Sequence, residues 1–486
     1  MPVEDKSPLG LGFTLEVDAP SDLSYDERRA DALITVTAHS AAASAGRTPG
    51  AEILIMDRSL SMSGYRLDEA KRAMCAAIDT LRDGTLLGIV AGNHRADVIF
   101  PATDGLARVD ARVREDAKLR VAGQLAEGGT AIGQWLARAR HLFATVDSPG
   151  TVRHAVLYTD GKNEHETPGQ LDEILTTCTD RFVCDARGLG EDWHYTELIR
   201  VAEALHGTAE AVVTVSDLTE DFTRLMREAQ RIVVPRVYLG LRLNRRFQLA
   251  FVRQTRPVEA ELTARQQHDG ETLVPLGSWS PERRQYQISL RFTPDSLTVD
   301  EILRAVRVTL HAEFPDGTRR PCSDSAAMAV CRRSTPGSAI VPSADLTRVE
   351  NERELGMAMR ACADAHERGD LERADRELRL AIGLAASLPD ATRLRLLREI
   401  AADGPDGLPR VRRNVSRGLV QRIGVASTRI TREPDGPYEP PSPGSGPPRA
   451  CPRCGTASTL PTARFCQECG DRLDAAGTAG GQADTP

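Results

Sequence analysis

The sequence predicts a multidomain protein built around an α/β fold, a doubly wound and mainly parallel sheet with helices on both faces. Three observations carry this. The chain has 486 residues, more than one ordinary core accommodates. From about residue 50 to 230, short apolar runs alternate with stretches of helical period, the pattern of strands joined by crossover helices. Before and after that stretch the apolar period falls to two, as in half-buried strands.

In chain order, Leu11, Phe13, Leu15 and Val17 alternate with polar neighbours, and so do Ile34, Val36 and Ala38. Residues 1–45 are therefore expected to supply strands to a β-sandwich completed after the central domain. Residues 46–232 form the α/β domain. Its strands are expected at 51–56, 86–91, 96–100, 154–158, 182–186 and 209–215. Helices are expected at 67–81, 107–123, 132–146, 168–179, 194–206 and 217–231. Residues 233–338 return to period two (Val237, Leu239, Leu241, Leu243; Tyr286, Ile288, Leu290, Phe292) and read as the rest of the sandwich. Residues 342–403 read as a helical hairpin around the Gly369-Asp370 turn, an element too small to bury its own apolar face and so expected to dock on a neighbour. Residues 404–449 lose periodicity and read as a disordered linker, basic between Arg410 and Arg432 and then rich in Pro, Gly and Ser. It contains Ser416, Ser427, Thr428 and Thr431, and its threonines are candidate kinase substrates. Residues 450–474 carry a cysteine module, and 475–486 form a disordered tail.

Charge and composition narrow the function classes. A net charge of −7 gives no basic footprint for nucleic acid, which is not an expected partner. No apolar run approaches the ~20 residues that cross a bilayer, and Met1–Gly10 lacks the apolar core of a secretion signal, so a cytoplasmic chain is expected. Lys6, Lys71, Lys118 and Lys162 are the only lysines among 62 basic residues. That arginine bias points to a GC-rich, bacterial genome.

Two constellations carry chemistry. The first is Asp57-Arg-Ser59-Leu-Ser61, set between an apolar strand and a helix, where open α/β sheets bind ligands. Asp57 offers a carboxylate, and Ser59 and Ser61 offer hydroxyls. Thr130, after Gly128-Gly129, and Asp160, in Thr159-Asp160-Gly161-Lys162-Asn163, stand on two further loops of the same crest. Oxygen donors without His or Cys suit a hard cation, Mg²⁺ or the related Mn²⁺ and Ca²⁺. The second is Cys451-x-x-Cys454 and Cys466-x-x-Cys469, each pair followed by glycine. Four thiolates satisfy a closed tetrahedral Zn²⁺ site of structural type. The remaining six cysteines read as free thiols. His154, His165 and His194 fall near crest segments, but single histidines are more often core or surface residues. Trp135 and Trp193 read as core.

These motifs resemble the von Willebrand factor A (VWA) family over about residues 50–230. Its metal-ion-dependent adhesion site, MIDAS, uses DxSxS, a distal Thr and a distal Asp in that order, and all five are present here. The resemblance implies a Rossmann-like domain. It also implies that Ser59, Ser61 and Thr130, with Asp57 and Asp160, ligate a divalent ion directly or through water. A protein partner's Asp or Glu would complete the octahedron. The cysteine module is similar to a small zinc ribbon.

No P-loop, dinucleotide-binding, HExxH or GxSxG motif is present. The reading is a non-enzymatic, Mg²⁺-dependent scaffold. Similarity to bacterial cytosolic VWA proteins suggests stress responses and Ser/Thr kinase or phosphatase partners. Two alternatives stand beside it: a VWA subunit of an AAA+ or chelatase-like assembly, and a Mg²⁺-dependent hydrolase, disfavoured because no general base accompanies the ligands.

Overall fold

The computed structural model describes residues 10–40, 48–148, 150–212, 217–266, 270–314, 316–334, 343–388, 390–404 and 407–429, with short strands at 449–450 and 457–458. The chain opens with β1 (Leu11–Asp18), β2 (Asp22–Leu23) and β3 (Arg29–Ser40). The central stretch follows with β4 (Gly50–Asp57), α1 (Tyr65–Thr80), β5 (Leu86–Gly92), β6 (Ala96–Phe100), β7 (Ala107–Arg108), α2 (Ala111–Ala122) and α3 (Ile132–Ala144). It continues through β8 (Val152–Thr159), α4 (Pro168–Cys178), β9 (Val183–Leu189), α5 (Tyr195–Ala204), β10 (Ala209–Val212) and α6 (Leu218–Ala229).

The central sheet runs β10-β9-β8-β4-β5-β6. Its strands are parallel except β6 and the short β7, both of which pair antiparallel to β5. Successive strand residues point to opposite faces, and two cores result. Ile53, Ile55, Ala155 and Leu157 pack under α3, α4 and α5. Leu54, Met56, Val156 and Tyr158 pack under α1, α2 and α6. Trp135 and Trp193 are buried in the first core. From the central β4 the chain crosses to β5 on one side, and β8 and β9 extend the other. The crest between β4 and β8 is thus a switch point of the kind that holds ligands.

The chain continues with β11 (Val234–Leu243), β12 (Phe247–Arg256), β13 (Ala260–Leu262), β14 (Arg265–Gln266), β15 (Thr272–Trp279), β16 (Arg283–Phe292), β17 (Ile302–Glu313), β18 (Arg319–Pro321) and β19 (Ala326–Arg332). They build two sheets. One runs β1-β3-β16-β12-β13 and the other β14-β15-β11-β17-β19-β2, with β18 beside β17. Side chains of both, including Ile34, Val36, Leu239, Ile288 and Leu310, share one apolar core. The N-terminal strands lie inside these sheets: β3 sits between β1 and β16.

Helices α7 (Ala344–Glu367), α8 (Leu371–Ser387) and α9 (Ala391–Ile400) follow. Asp370 and Asp390 cap α8 and α9 by accepting from the N–H of Arg373 and Arg393. Leu355, Met359, Leu378 and Leu397 join the same apolar cluster as Ile53, Trp135 and Leu198. The helices therefore pack on the α/β domain. A buried ion pair from Arg256 to Glu352 also ties α7 to β12.

The stretch expected as linker differs. β20 (Ala401–Asp403) pairs antiparallel with β21 (Pro409–Val411), and residues Arg417–Ala426 form a helix, α10. Its arginines concealed an apolar face: Val420, Ile423 and Val425 are buried against α5 and α7. Ser416 caps it by accepting from the Leu419 N–H. Gln421, fully buried, accepts from the Tyr195 N–H at 2.7 Å and donates to Glu367. Ser427 and Thr428 are also buried, so the reading of Thr428 as a kinase substrate is corrected. Gly424 allows the helix its close approach, since a Cβ there would stand 2.3 Å from the Tyr195 ring. Gly424→Ala is expected to displace α10 at a cost of about 1–3 kcal/mol. The check is faster tryptic cleavage at Arg412, Arg413 and Arg417.

Strands β22 (Arg449–Ala450) and β23 (Ala457–Ser458) pair antiparallel. Cys451, Cys454, Cys466 and Cys469 lie outside the described residues, as does Thr431. The other six cysteines are free thiols. Among the described residues no helix is long and apolar enough to cross a membrane.

Candidate metal centre

All five residues of the first constellation meet at the crest. Strand β4 delivers Asp57, fully buried, at its last position. The chain then curls back, so the Ser59 N–H donates to Asp57 Oδ1 at 2.7 Å. Ser59 Oγ and Ser61 Oγ stand 2.9 Å apart. Ser61 Oγ donates to Asp160 Oδ1 at 2.6 Å. The donors converge beside Gly161: a Cβ there would stand 2.9 Å from Thr130 Oγ1, 3.4 Å from Ser61 Oγ and 3.9 Å from Asp57 Oδ2. Any larger residue would fill the space these oxygens face. Ser61 is exposed while Ser59, Thr130 and Asp160 are buried, so the cluster opens to solvent on one side.

Backbone bonds lock the three loops together. The Leu60 N–H donates to Gly128 O, and the Glu127 N–H to Arg58 O. The His165 N–H donates to Thr130 O at 3.1 Å. The start of α3, two residues past Thr130, is capped from the Asp160 loop. Asn163 Oδ1 accepts from the Ile132 N–H, and the Glu166 carboxylate accepts from the N–H groups of Gly133 and Gln134. A carboxylate is favoured at that helix end by the dipole as well as by the free donors.

Arg66 and His94 carry no signal in the sequence, and the sequence gives Thr159 and His165 no role of their own. Thr159 Oγ1 donates to Asp57 Oδ2 at 2.5 Å, and Arg66 Nη1 donates to Asp160 Oδ2 at 2.7 Å. Thr159 was in view as the neighbour of Asp160, but its role depends on the lateral pairing of β4 with β8. The imidazoles of His94 and His165, both exposed, lie 5.7 Å apart beside Gly128 and Gly129. His154 requires a correction, because it sits near the start of β8, at the opposite end of the sheet from the crest. There it bridges Glu52 Oε2 (2.7 Å) and Asp185 Oδ2 (2.9 Å) inside the core.

Burial raises Asp57 from 3.8 to about 6; the hydrogen bonds from Thr159 and Ser59 oppose this and the nearby Asp160 adds to it. Asp160 is likewise raised by burial, against the hydrogen bonds of Ser61 and Arg66. Two carboxylates and three hydroxyls without nitrogen or sulfur form a donor set for a hard divalent ion. Among the described residues no group of three or more His, Cys, Asp or Glu stands ready for a metal, so a softer, nitrogen- or thiolate-rich centre has no counterpart there. The donors fit the cation expected from the sequence.

A family profile described as von Willebrand factor type A domain matches residues 52–211, the stretch that builds this crest. The chain carries a VWA domain. A solved structure, von Willebrand factor type A from Catenulispora acidiphila, is 29% identical with a TM-score of 0.79, covering 87% of this chain and 97% of that one. The likeness thus extends past the VWA domain into the flanking sheets and helices. The ArnB paralog VWA2 from Sulfolobus acidocaldarius, 12% identical, covers 87% of this chain and 100% of its own with a TM-score of 0.52, a likeness of fold. A relative from Synechocystis sp., "Uncharacterized protein sll0103", is 28% identical over 220 residues, which is 44% of this chain and 50% of that protein. The chain therefore spans about half the length of this curated relative.

Proposed function

We propose that the VWA crest binds a divalent cation, Mg²⁺ first by donor chemistry, and through it an acidic side chain of a protein partner. The carrying observation is the convergence of Ser61, Thr130 and Asp57 oxygens beside Gly161, with Asp57 held up at about 6. A buried carboxylate disfavoured in its charged form gains most from a cation. The ion would supply positive charge to an incoming carboxylate. The chain's own residues fix the donors, and Ser61 lies on the open side. Leu60 and Leu125, exposed between the elements that build the site, and Tyr65, exposed at the start of α1, suit a protein partner better than a small anion.

In this reading the protein is a scaffold, with Zn²⁺ held by Cys451, Cys454, Cys466 and Cys469 as a second docking module. A Ser/Thr kinase or phosphatase is the partner class that the family association favours. A Mg²⁺-dependent hydrolase is the second reading, favoured only by the rim imidazoles of His94 and His165. The test is affinity capture on the immobilised full chain, in Mg²⁺ and in chelator, with wild type and Asp160→Ala. Partners held by wild type in Mg²⁺ and lost in both other arms are expected. Identical captured sets in every arm would sink the proposal.

A further inference from the structure

We propose that Arg66 is a tethered cation that balances the charge of the metal centre before an ion enters and thereby sets the centre's ion affinity. The inference rests on the cation reading above. Arg66 is the second residue of α1, where the helix dipole disfavours positive charge. Its guanidinium is nevertheless turned to the site, with Nη1 2.7 Å from Asp160 Oδ2. Asp160 is wholly buried, so this is a desolvated carboxylate with a cation already on it. The same Nη1 is 3.8 Å from Asp192, which is largely exposed. A Cβ at Gly190 would stand 3.6 Å from Arg66 Nη2, which places the guanidinium against the loop after β9.

The charges then count simply. Asp57, Asp160 and Arg66 sum to −1. A divalent ion brings the cluster to +1, and one carboxylate from a partner neutralises it. Without Arg66 the cluster is −2 when empty and neutral with the ion. Arg66 therefore opposes the ion, and with an ion held at the site Arg66 would be free to pair with Asp192 or to face the incoming carboxylate. It makes the empty site tolerable and the loaded site hungrier for an anion.

The test is calorimetric titration of the full chain with Mg²⁺ alone, comparing wild type, Arg66→Gln and Arg66→Lys. Removing a unit charge a few ångströms from the ligands is expected to tighten Mg²⁺ binding about tenfold or more in Arg66→Gln. Arg66→Lys should stay within about threefold of wild type, because the charge is kept. Binding by Arg66→Gln alone also supports the proposal. Equal or weaker binding by Arg66→Gln overturns it and leaves the cation site standing. Absence of binding in all three removes both. A second readout is thermal unfolding in chelator: Arg66→Gln should melt below wild type and recover with Mg²⁺, and an unchanged midpoint overturns the proposal. Arg66→Met, which keeps the aliphatic stem, replaces the Gln variant if that one does not fold.

Discussion

Asp57→Asn is expected to stabilise the metal-free protein while abolishing its affinity for Mg²⁺. Asp57 is raised from 3.8 to about 6, chiefly by burial. A carboxyl held above its ordinary value binds its proton more tightly in the folded chain than in the unfolded one. Stability therefore falls as pH rises from about 4 through about 6, and stays lower beyond. The displacement corresponds to about 3 kcal/mol withheld from the fold at neutral pH. An amide removes that charge and keeps the hydrogen bonds. Asn Oδ1 still accepts from the Ser59 N–H, and its NH₂ donates to Thr159 Oγ1, whose proton turns to Gly161 O at 3.3 Å. In chelator at pH 7, the variant should unfold at higher urea than wild type by an amount worth up to about 3 kcal/mol. At pH 4 the two should converge. Lower stability of the Asn variant at pH 7 would contradict the electrostatic account.

His154→Leu is expected to destabilise the fold by about 3–5 kcal/mol, the size associated with breaking a buried ion pair. Burial alone would lower His154, but the charges and hydrogen bonds of Glu52 and Asp185 outweigh it and raise it to about 10. The two carboxylates share the imidazolium unequally. Asp185 also takes bonds from the Thr208 N–H and Oγ1 and lies near Arg187, so it is held well below the usual carboxylate range despite its burial. Among the described residues Glu52 takes its side-chain hydrogen bond from His154 alone, and burial leaves it raised. Because His154 is raised, its contribution is complete below about 6.5 and is lost as pH climbs through about 10. Asp185 contributes above 3.8 and loses its contribution as pH falls through its depressed folded value. Wild type should thus lose stability between pH 7 and 10. The Leu variant should lack that slope and recover part of its loss in acid, as the orphaned carboxylates take up protons. Parallel pH profiles for the two proteins would rule out a charged His154.

Much of the α/β core was legible because each strand and helix announces its period locally. The six expected helices lie within about four residues of those observed. The five crest residues were legible because motif order and the elements that flank them suffice to place Asp57 and Asp160 at the ends of parallel strands and Thr130 in the loop before α3. What escaped depends on lateral relations. Thr159 reaches Asp57 only because β4 and β8 are neighbours, and Arg66 reaches Asp160 only across two loops. The cap on α3 by Asn163 and Glu166 joins residues about thirty apart. Helix α10 was hidden by arginines that outweighed Val420, Ile423 and Val425 in a composition-based reading. His154 was read as near a crest segment, with a core or surface role favoured; it lies near the start of β8, away from the crest, and is a core residue.

The central claim is a hard-cation site at the crest. Its most direct test is Mn²⁺ titration of the full chain in chelator-free buffer, followed by the paramagnetic resonance signal of free aqueous Mn²⁺. Wild type should take up one equivalent that excess Mg²⁺ displaces, and Asp57→Ala should leave the free signal at the level of buffer. A wild-type protein that leaves the signal unchanged, or an Asp57→Ala protein that binds Mn²⁺ as wild type does, would contradict the account.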